Sequence, residues 1–231
     1  MRRVVITGAT RGIGLALTQH YLAAGDEVVG CGRTPSVVSH PKYLHRLVDV
    51  TVGPEIDQLF DELRTRFGSI DALINNAGVA SMNSLALMPL ETAQRIMDTN
   101  VMGTFSFTRA AVRLMRGSGN GRIVNFTSVA VPMRLEGEAI YAASKSALET
   151  FTRIAARELG PFGITCNAIG PSPIRTGLIS GVPEAKLEAL IQSQAVRRWA
   201  ATEDVVNVVD FFLRPESGMV TGQVIYLGGA A

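Results

Sequence analysis

"TGATRGIG", residues 7–14, is the stretch whose reading decides the fold. It stands directly after a short apolar run at 4–6 and directly before a helical pattern that starts at 13. Its glycines fall at 8, 12 and 14, a G-x-x-x-G-x-G spacing. Glycine lets the backbone turn tightly and approach a bound group closely. A helix that opens on such a turn presents free N–H groups and a positive dipole end, which suits a pyrophosphate. Gly8, Thr10, Arg11, Gly12, Ile13 and Gly14 are therefore candidate contacts to a dinucleotide. Taken alone, the same stretch also describes a plain glycine-rich strand-to-helix turn.

The chain on either side repeats this strand-then-helix order. Strands are expected at 4–6, 27–31, 44–48, 72–74, 123–126, 164–169 and 224–227. Helices are expected at 13–24, 54–67, 90–100 continuing to 115, 142–159, 184–194 and 202–213. Such alternation predicts an α/β fold, with a doubly wound parallel sheet of about seven strands and helices on both faces. The strand runs are rich in Val and Ile with little alternation of polarity, as in strands buried on both sides. The Gly/Ser stretch at 116–122 is too short to divide the chain, so a single domain over 1–231 is expected.

Composition excludes several classes of function. Twenty-two basic and 20 acidic residues leave a net charge of +2, so no nucleic-acid partner is expected. No stretch approaches the ~18 apolar residues of a membrane span. The apolar run after Arg2 and Arg3 is too short for a signal peptide. A soluble, cytoplasmic protein with no membrane partner is expected. Cys31 and Cys166 lie in apolar runs and read as buried free thiols in a reducing compartment. His20, His40 and His45 share no metal-ligand spacing with them, so no metal is expected.

The cofactor reading sharpens on an absent acid. Dinucleotide folds that take NAD place an Asp or Glu about 20 residues beyond the glycine turn, on the ribose 2′-OH. Here the second strand ends in "VVGCGRTPS", with Arg33 and no acid. An arginine at that strand end fits the 2′-phosphate of NADP(H), and Arg11 lies within reach of the same group. Arg33 also fits an exposed surface position.

Four further segments follow in order: "NNAG" (75–78), "DTNVMGTF" with Asn100, "NFTS" with Ser128, and "YAASK" with Tyr141 and Lys145. Tyr141 and Lys145 are four apart and share a helix face. Ser128 precedes Tyr141 by thirteen residues. With the glycine turn, these segments resemble the short-chain dehydrogenase/reductase family over nearly the whole chain. The resemblance implies a Rossmann-type sheet and an NADP-dependent oxidoreductase acting on CH–OH and C=O groups. It implies Tyr141 as general acid/base, Lys145 as its helper and ribose contact, Ser128 as the carbonyl-binding hydroxyl, and Asn100 as part of a proton relay. It further implies that Asn76, Ala77 and Gly78 contact the cofactor ribose side, with Asp49 and Val50 at the adenine. The chemistry agrees: hydride addition to a carbonyl builds negative charge on oxygen, which needs a donor and a proton. A nearby ammonium and a cationic ring are expected to lower the tyrosine pKa.

Departures from the family pattern are also visible. Where the family commonly has Pro-Gly, this chain has Pro171-Ser172-Pro173. Ser172 lacks glycine's access to positive φ, so a different turn is expected beside the cofactor contacts implied for Pro171, Ile174 and Thr176. Leu227 stands where an aspartate is common. The segment 177–198 resembles a short substrate lid, with Leu187, Leu190 and Ile191 as an apolar wall. Within the family the chain looks most like the 3-oxoacyl-(acyl-carrier-protein) reductases of fatty acid biosynthesis. That implies a small-molecule or acyl-carrier-bound 3-oxoacyl thioester as substrate and an acyl carrier protein as partner. Arg134, Arg197 and Arg198 are candidate docking residues. A homotetramer or homodimer through the Tyr141 helix is implied. Two alternatives stay open: reduction of another ketone, sugar or steroid alcohol, and a nucleotide-binding regulator without catalysis.

Overall fold

In the computed structural model, which describes residues 1–229, seven parallel strands form one sheet in the order β3-β2-β1-β4-β5-β6-β7. They are β1 (Arg3–Thr7), β2 (Glu27–Gly32), β3 (Tyr43–Leu47), β4 (Ala72–Asn75), β5 (Arg122–Phe126), β6 (Thr165–Gly170) and β7 (Val224–Tyr226). The helices are α1 (Gly12–Ala23), α2 (Gly53–Phe67), α3 (Leu90–Met97), α4 (Gly103–Met115), a single turn α5 (Ala130–Met133), α6 (Ala139–Leu159), α7 (Glu184–Gln192) and α8 (Thr202–Leu213). The expected α/β fold is present, a doubly wound parallel sheet of the Rossmann type.

Strand neighbours point to opposite faces, and both faces are covered. Val5, Leu73, Ile123 and Cys166 pack against α2, α4 and α6. Val4, Ile6, Ile74 and Val124 pack against α1 and α8. Every second residue thus meets a different apolar layer, which is why the sequence shows no alternation. Cys31 and Cys166 are buried free thiols, as expected. Among the described residues no helix is long and apolar enough to cross a membrane.

The strand order reverses between β1 and β4, so the chain leaves a crevice where their C-terminal ends diverge. Ligands bind such sheets at that switch point. β1 delivers the glycine turn there, β4 delivers "NNAG", and β5 delivers Ser128.

Most element boundaries fall within one residue of expectation, and three features differ by more. The expected helix over 90–115 carries a π-helical turn at Asp98–Met102. Such single π-turns accompany functional sites in helices, and this one contains Asn100. Helix α6 starts at Ala139, three residues before the expected start, so Tyr141 lies inside its first turn. Helix α7 stops at Gln192, two residues short.

Candidate active site

Glycine is required at the first turn by close approach. A Cβ on Gly14 would fall 2.2 Å from the Gly8 carbonyl oxygen and 2.6 Å from Asn76 Nδ2. Gly8 and Gly12 also hold φ of +68° and +53°, the left-handed region that glycine tolerates. Asn76 Nδ2 donates to the carbonyls of Thr7 at 2.9 Å and Gly8 at 3.2 Å, and the Ala77 N–H donates to Thr7 Oγ1 at 2.9 Å. "NNAG" therefore clamps the glycine turn. The Asn76 amide nitrogen that the resemblance directs to a ribose is engaged by protein carbonyls.

Helix α1 begins after Arg11 with no side-chain cap and no acid in its first turn. Its first amides are left for an anion. A nicotinamide dinucleotide fits this cradle: a glycine turn with no room for a Cβ at Gly14, an uncapped helix start and a basic residue beside it. Arg11 is exposed. Thr10 Oγ1 accepts from Thr34 Oγ1 at 3.2 Å, which draws the end of β2 and Arg33 towards the turn.

The adenine side holds a pairing that the sequence alone concealed. Arg33 Nη1 lies 3.9 Å from Asp49 Oδ2, across β2 and β3. A carboxylate therefore does stand beside the second strand's end, although no acid occurs there in sequence. Partial burial pushes the Asp49 carboxyl up. The Thr51 amide and hydroxyl bonds, with the Arg33 charge, outweigh this and hold it below the usual carboxylate range. Val50 is buried, and a Cβ on Gly103 would meet its Cγ2 at 2.8 Å. The Val50 side chain is thus a packing group at the start of α4.

Past the glycine turn, one cavity of about 480 Å³ collects most of the remaining candidates. Ser128, Tyr141 and Lys145 line it, together with Asn76, Gly78 and Ile13. Pro171, Ile174 and Thr176 line it as well. A Cβ on Gly12 would meet Thr176 Cγ2 at 3.4 Å, so the segment after β6 closes over the glycine turn. Leu187 and Leu190 of α7 face the cavity, while Ile191 is buried outside its lining. Ser172 is not at positive φ. Its Oγ donates to buried Gln194 Oε1 at 2.7 Å, so the serine adds a tie to the segment after α7 without straining the turn.

Asn100 is fully buried in its π-turn. Its Oδ1 accepts the Val79 N–H at 2.8 Å, and its Nδ2 donates to the Val79 carbonyl and to Ser144 Oγ, both at 3.0 Å. A Cβ on Gly78 would lie 3.3 Å from both Asn100 Oδ1 and Lys145 Nζ. Asn100 therefore fixes the backbone that borders Lys145. Both hydrogens of its side-chain amide are used in doing so.

Within the protein alone, the electrostatics of Tyr141 are set by burial and its nearest protein groups. Lys145 Nζ donates to the Phe126 carbonyl at 2.8 Å and lies 5.8 Å from the Tyr141 ring centroid. Burial pulls the Lys145 pKa down to about 8. Burial also pushes the Tyr141 phenol up to about 12, opposed by the hydrogen-bonding Ser128 hydroxyl and reinforced by Glu138. The protein's own groups thus keep Tyr141 protonated near neutral pH. Desolvation wins because the ammonium is directed at a carbonyl and not at the phenol.

Two groups escaped sequence reasoning. Thr127 Oγ1 donates to buried Glu149 Oε1 at 2.8 Å, and Tyr226 of β7 bonds the same oxygen. This ties α6 to the sheet one turn past Lys145. Glu138, also buried, lines the cavity three residues before Tyr141. Its signal was legible as an acid one helical turn from the tyrosine. Arg198, a docking candidate, is held in a two-point bond to Asp204 at 2.7 and 2.8 Å.

Comparison with known proteins agrees with this geometry. A family model described as enoyl-(acyl carrier protein) reductase matches residues 8–229. The chain is 30% identical to the 3-oxoacyl-(acyl-carrier-protein) reductase FabG of Escherichia coli, over 97% of this chain and 95% of that protein. It is 29% identical to a 3alpha-hydroxysteroid dehydrogenase of Mediterraneibacter gnavus, over 98% and 95% of the two chains. Among solved structures, a short-chain type dehydrogenase/reductase from Mycobacterium ulcerans superposes with a TM-score of 0.91 at 28% identity, covering 99% of this chain and 89% of that one.

Proposed function

The chain belongs to the short-chain dehydrogenase/reductase family of nicotinamide-dependent oxidoreductases, and from that premise we propose that it reduces the ketone of a 3-oxoacyl thioester, carried on an acyl carrier protein, with NADPH. One observation carries the reading: Ser128, Tyr141 and Lys145 line the same cavity as Asn76 and Gly78 at the glycine turn. The bound dinucleotide would supply the hydride. Ser128 donates a hydrogen bond to the substrate oxygen as charge develops on it. Tyr141 then gives that oxygen its proton, as a general acid. The buried phenol holds the proton that this step needs at neutral pH. Lys145 contributes an ammonium beside the site at neutral pH, since its pKa of about 8 lies above 7.

Arg33 and Arg11 support NADPH over NADH, as partners for a 2′-phosphate. Asp49 supports a fixed Arg33, since it approaches the guanidinium and leaves the side chain largely exposed. The thioester reading draws on the FabG likeness and on the apolar Leu187 and Leu190 beside the reacting groups. Exposed Arg134 and Arg197 are the remaining docking candidates for an acidic carrier. Exposed Phe105 and Ile154 on α4 and α6 support assembly of two or four copies through that face. One domain, with the segment 177–198 as its lid, completes the proposal.

NADPH oxidation with acetoacetyl thioesters, beside a panel of simple ketones, sugars and steroids, tests it. Turnover of the ketones, sugars or steroids without the thioesters rejects the acyl reading. A Tyr141→Phe variant should bind NADPH and lose turnover by more than ~100-fold; unchanged turnover rejects Tyr141 as the acid.

A further inference from the structure

Glu138 is the one acidic side chain that is both buried and in the lining of the cavity, being 7% exposed. Its Oε2 is shielded from solvent and meets no hydrogen-bond partner among the described residues. A buried carboxyl oxygen without a partner destabilises the fold, whether it holds a proton or not. Helix α6 does not need this acid, since Ala142 N–H bonds the Glu138 backbone carbonyl at 2.7 Å.

The surroundings leave the acid's partner to be supplied from the cavity. Lys186 of α7 attracts Glu138 from the lid side but forms no ion pair with it among the described residues. Its Nζ instead lies 3.8 Å from Met82 Sδ. Glu136 is exposed, and the neighbouring lining of Leu135, Val182 and Leu187 is apolar. Lys186 lines the cavity too, so Glu138 stands unpaired among apolar side chains and one lysine. Glu138 stands directly before the first residue of α6 and lines the same cavity as Tyr141, three positions on.

We propose that Glu138 is a specificity-determining residue whose carboxyl donates a hydrogen bond to a second carbonyl oxygen of the substrate, beside the carbonyl at Tyr141. For a 3-oxoacyl thioester, a 1,3-dicarbonyl compound, that second oxygen is the thioester carbonyl. This rests on the reading that Tyr141 protonates a ketone oxygen. Burial pushes the Glu138 carboxyl up to about 7, against the pull of Lys186, so near neutrality much of it holds the proton it would donate.

Steady-state kinetics on the full chain with NADPH tests this, using acetoacetyl-N-acetylcysteamine and a methyl monoketone of matched length. Glu138→Leu should lower kcat/KM for the dicarbonyl on the order of 10–100-fold, mainly through KM, so that the ratio of dicarbonyl to monoketone kcat/KM falls about 10-fold or more, whatever change both substrates share through the lost charge beside Tyr141. Glu138→Gln should restore most of that loss, because its amide N–H can donate to the same oxygen. Both variants should melt at or above the wild-type temperature, since each removes an unpaired buried carboxyl. Equal losses on the two substrates, or a lower melting temperature, would make Glu138 a structural residue. No loss on the dicarbonyl overturns the contact. Wild-type turnover of both ketones with no effect of Glu138→Leu overturns this inference alone. No wild-type turnover of either overturns carbonyl reduction as well.

Discussion

Replacing Asn100 by alanine removes three hydrogen bonds at once, and the cost can be worked from their partners. Val79 loses both the acceptor for its N–H and the donor to its carbonyl. Residues 76–84 belong to no helix or strand, so no ladder replaces them. Ser144 keeps its bond to the Tyr141 carbonyl at 2.7 Å and loses only an accepted one. Each backbone group left unpaired costs about 1–3 kcal/mol, and Val79 is half-buried, so water recovers part. The sum is about 2–4 kcal/mol, or a fall in Tm of roughly 4–16 °C for a chain this size. Urea unfolding should show a lower midpoint at unchanged slope, and hydrogen exchange should show lost protection at the Val79 amide. Asn100→Asp should recover little, because its second oxygen faces the Val79 carbonyl. Turnover should fall more than ~10-fold, since the same segment borders Lys145. A loss below about 1 kcal/mol, with Val79 still protected, would refute the claim that this side chain holds the segment.

Three further outcomes follow from the same geometry. Gly14→Ala should cost about 1–3 kcal/mol by overpacking and weaken dinucleotide binding, read by denaturant unfolding and fluorescence titration; wild-type affinity would show that the turn has slack. Arg33→Ala should weaken NADPH binding roughly 10-fold or more and leave NADH unchanged, which calorimetric titration of both cofactors would check. Glu138 has a folded pKa of about 7 against 4.5 unfolded. The folded state therefore holds that proton more tightly, and stability attributable to it is present below about pH 4.5 and lost as pH rises through about 7. Glu138→Gln should flatten that part of the stability profile over the window, and an unchanged slope would show that another group sets it.

The glycine turn, the parallel sheet and the Tyr141–Lys145 face were legible because each is a local constraint. A left-handed φ, a run of β-branched residues or an i,i+4 pair is written within a few positions. What was not legible depends on pairing across distance. Asp49 stands out in sequence as an adenine contact, but its pairing with Arg33 does not, because the acid belongs to the next strand's end and meets Arg33 only when β2 and β3 lie side by side. The helix over 90–115 read as continuous, and its π-turn at Asn100 is fixed by bonds to Val79 and Ser144, groups 21 and 44 positions away.

The sequence by itself determined the layers, the glycine turn and the candidates for the reacting side chains, since backbone sterics and hydrophobic period act over short windows. Only the tertiary structure decided their protonation. The phenol of Tyr141 is held up by burial and by Glu138, the ammonium of Lys145 is turned to the Phe126 carbonyl, and the Oε2 of Glu138 is left without a partner. Desolvation is a property of the surroundings as a whole, and no single stretch of chain carries it.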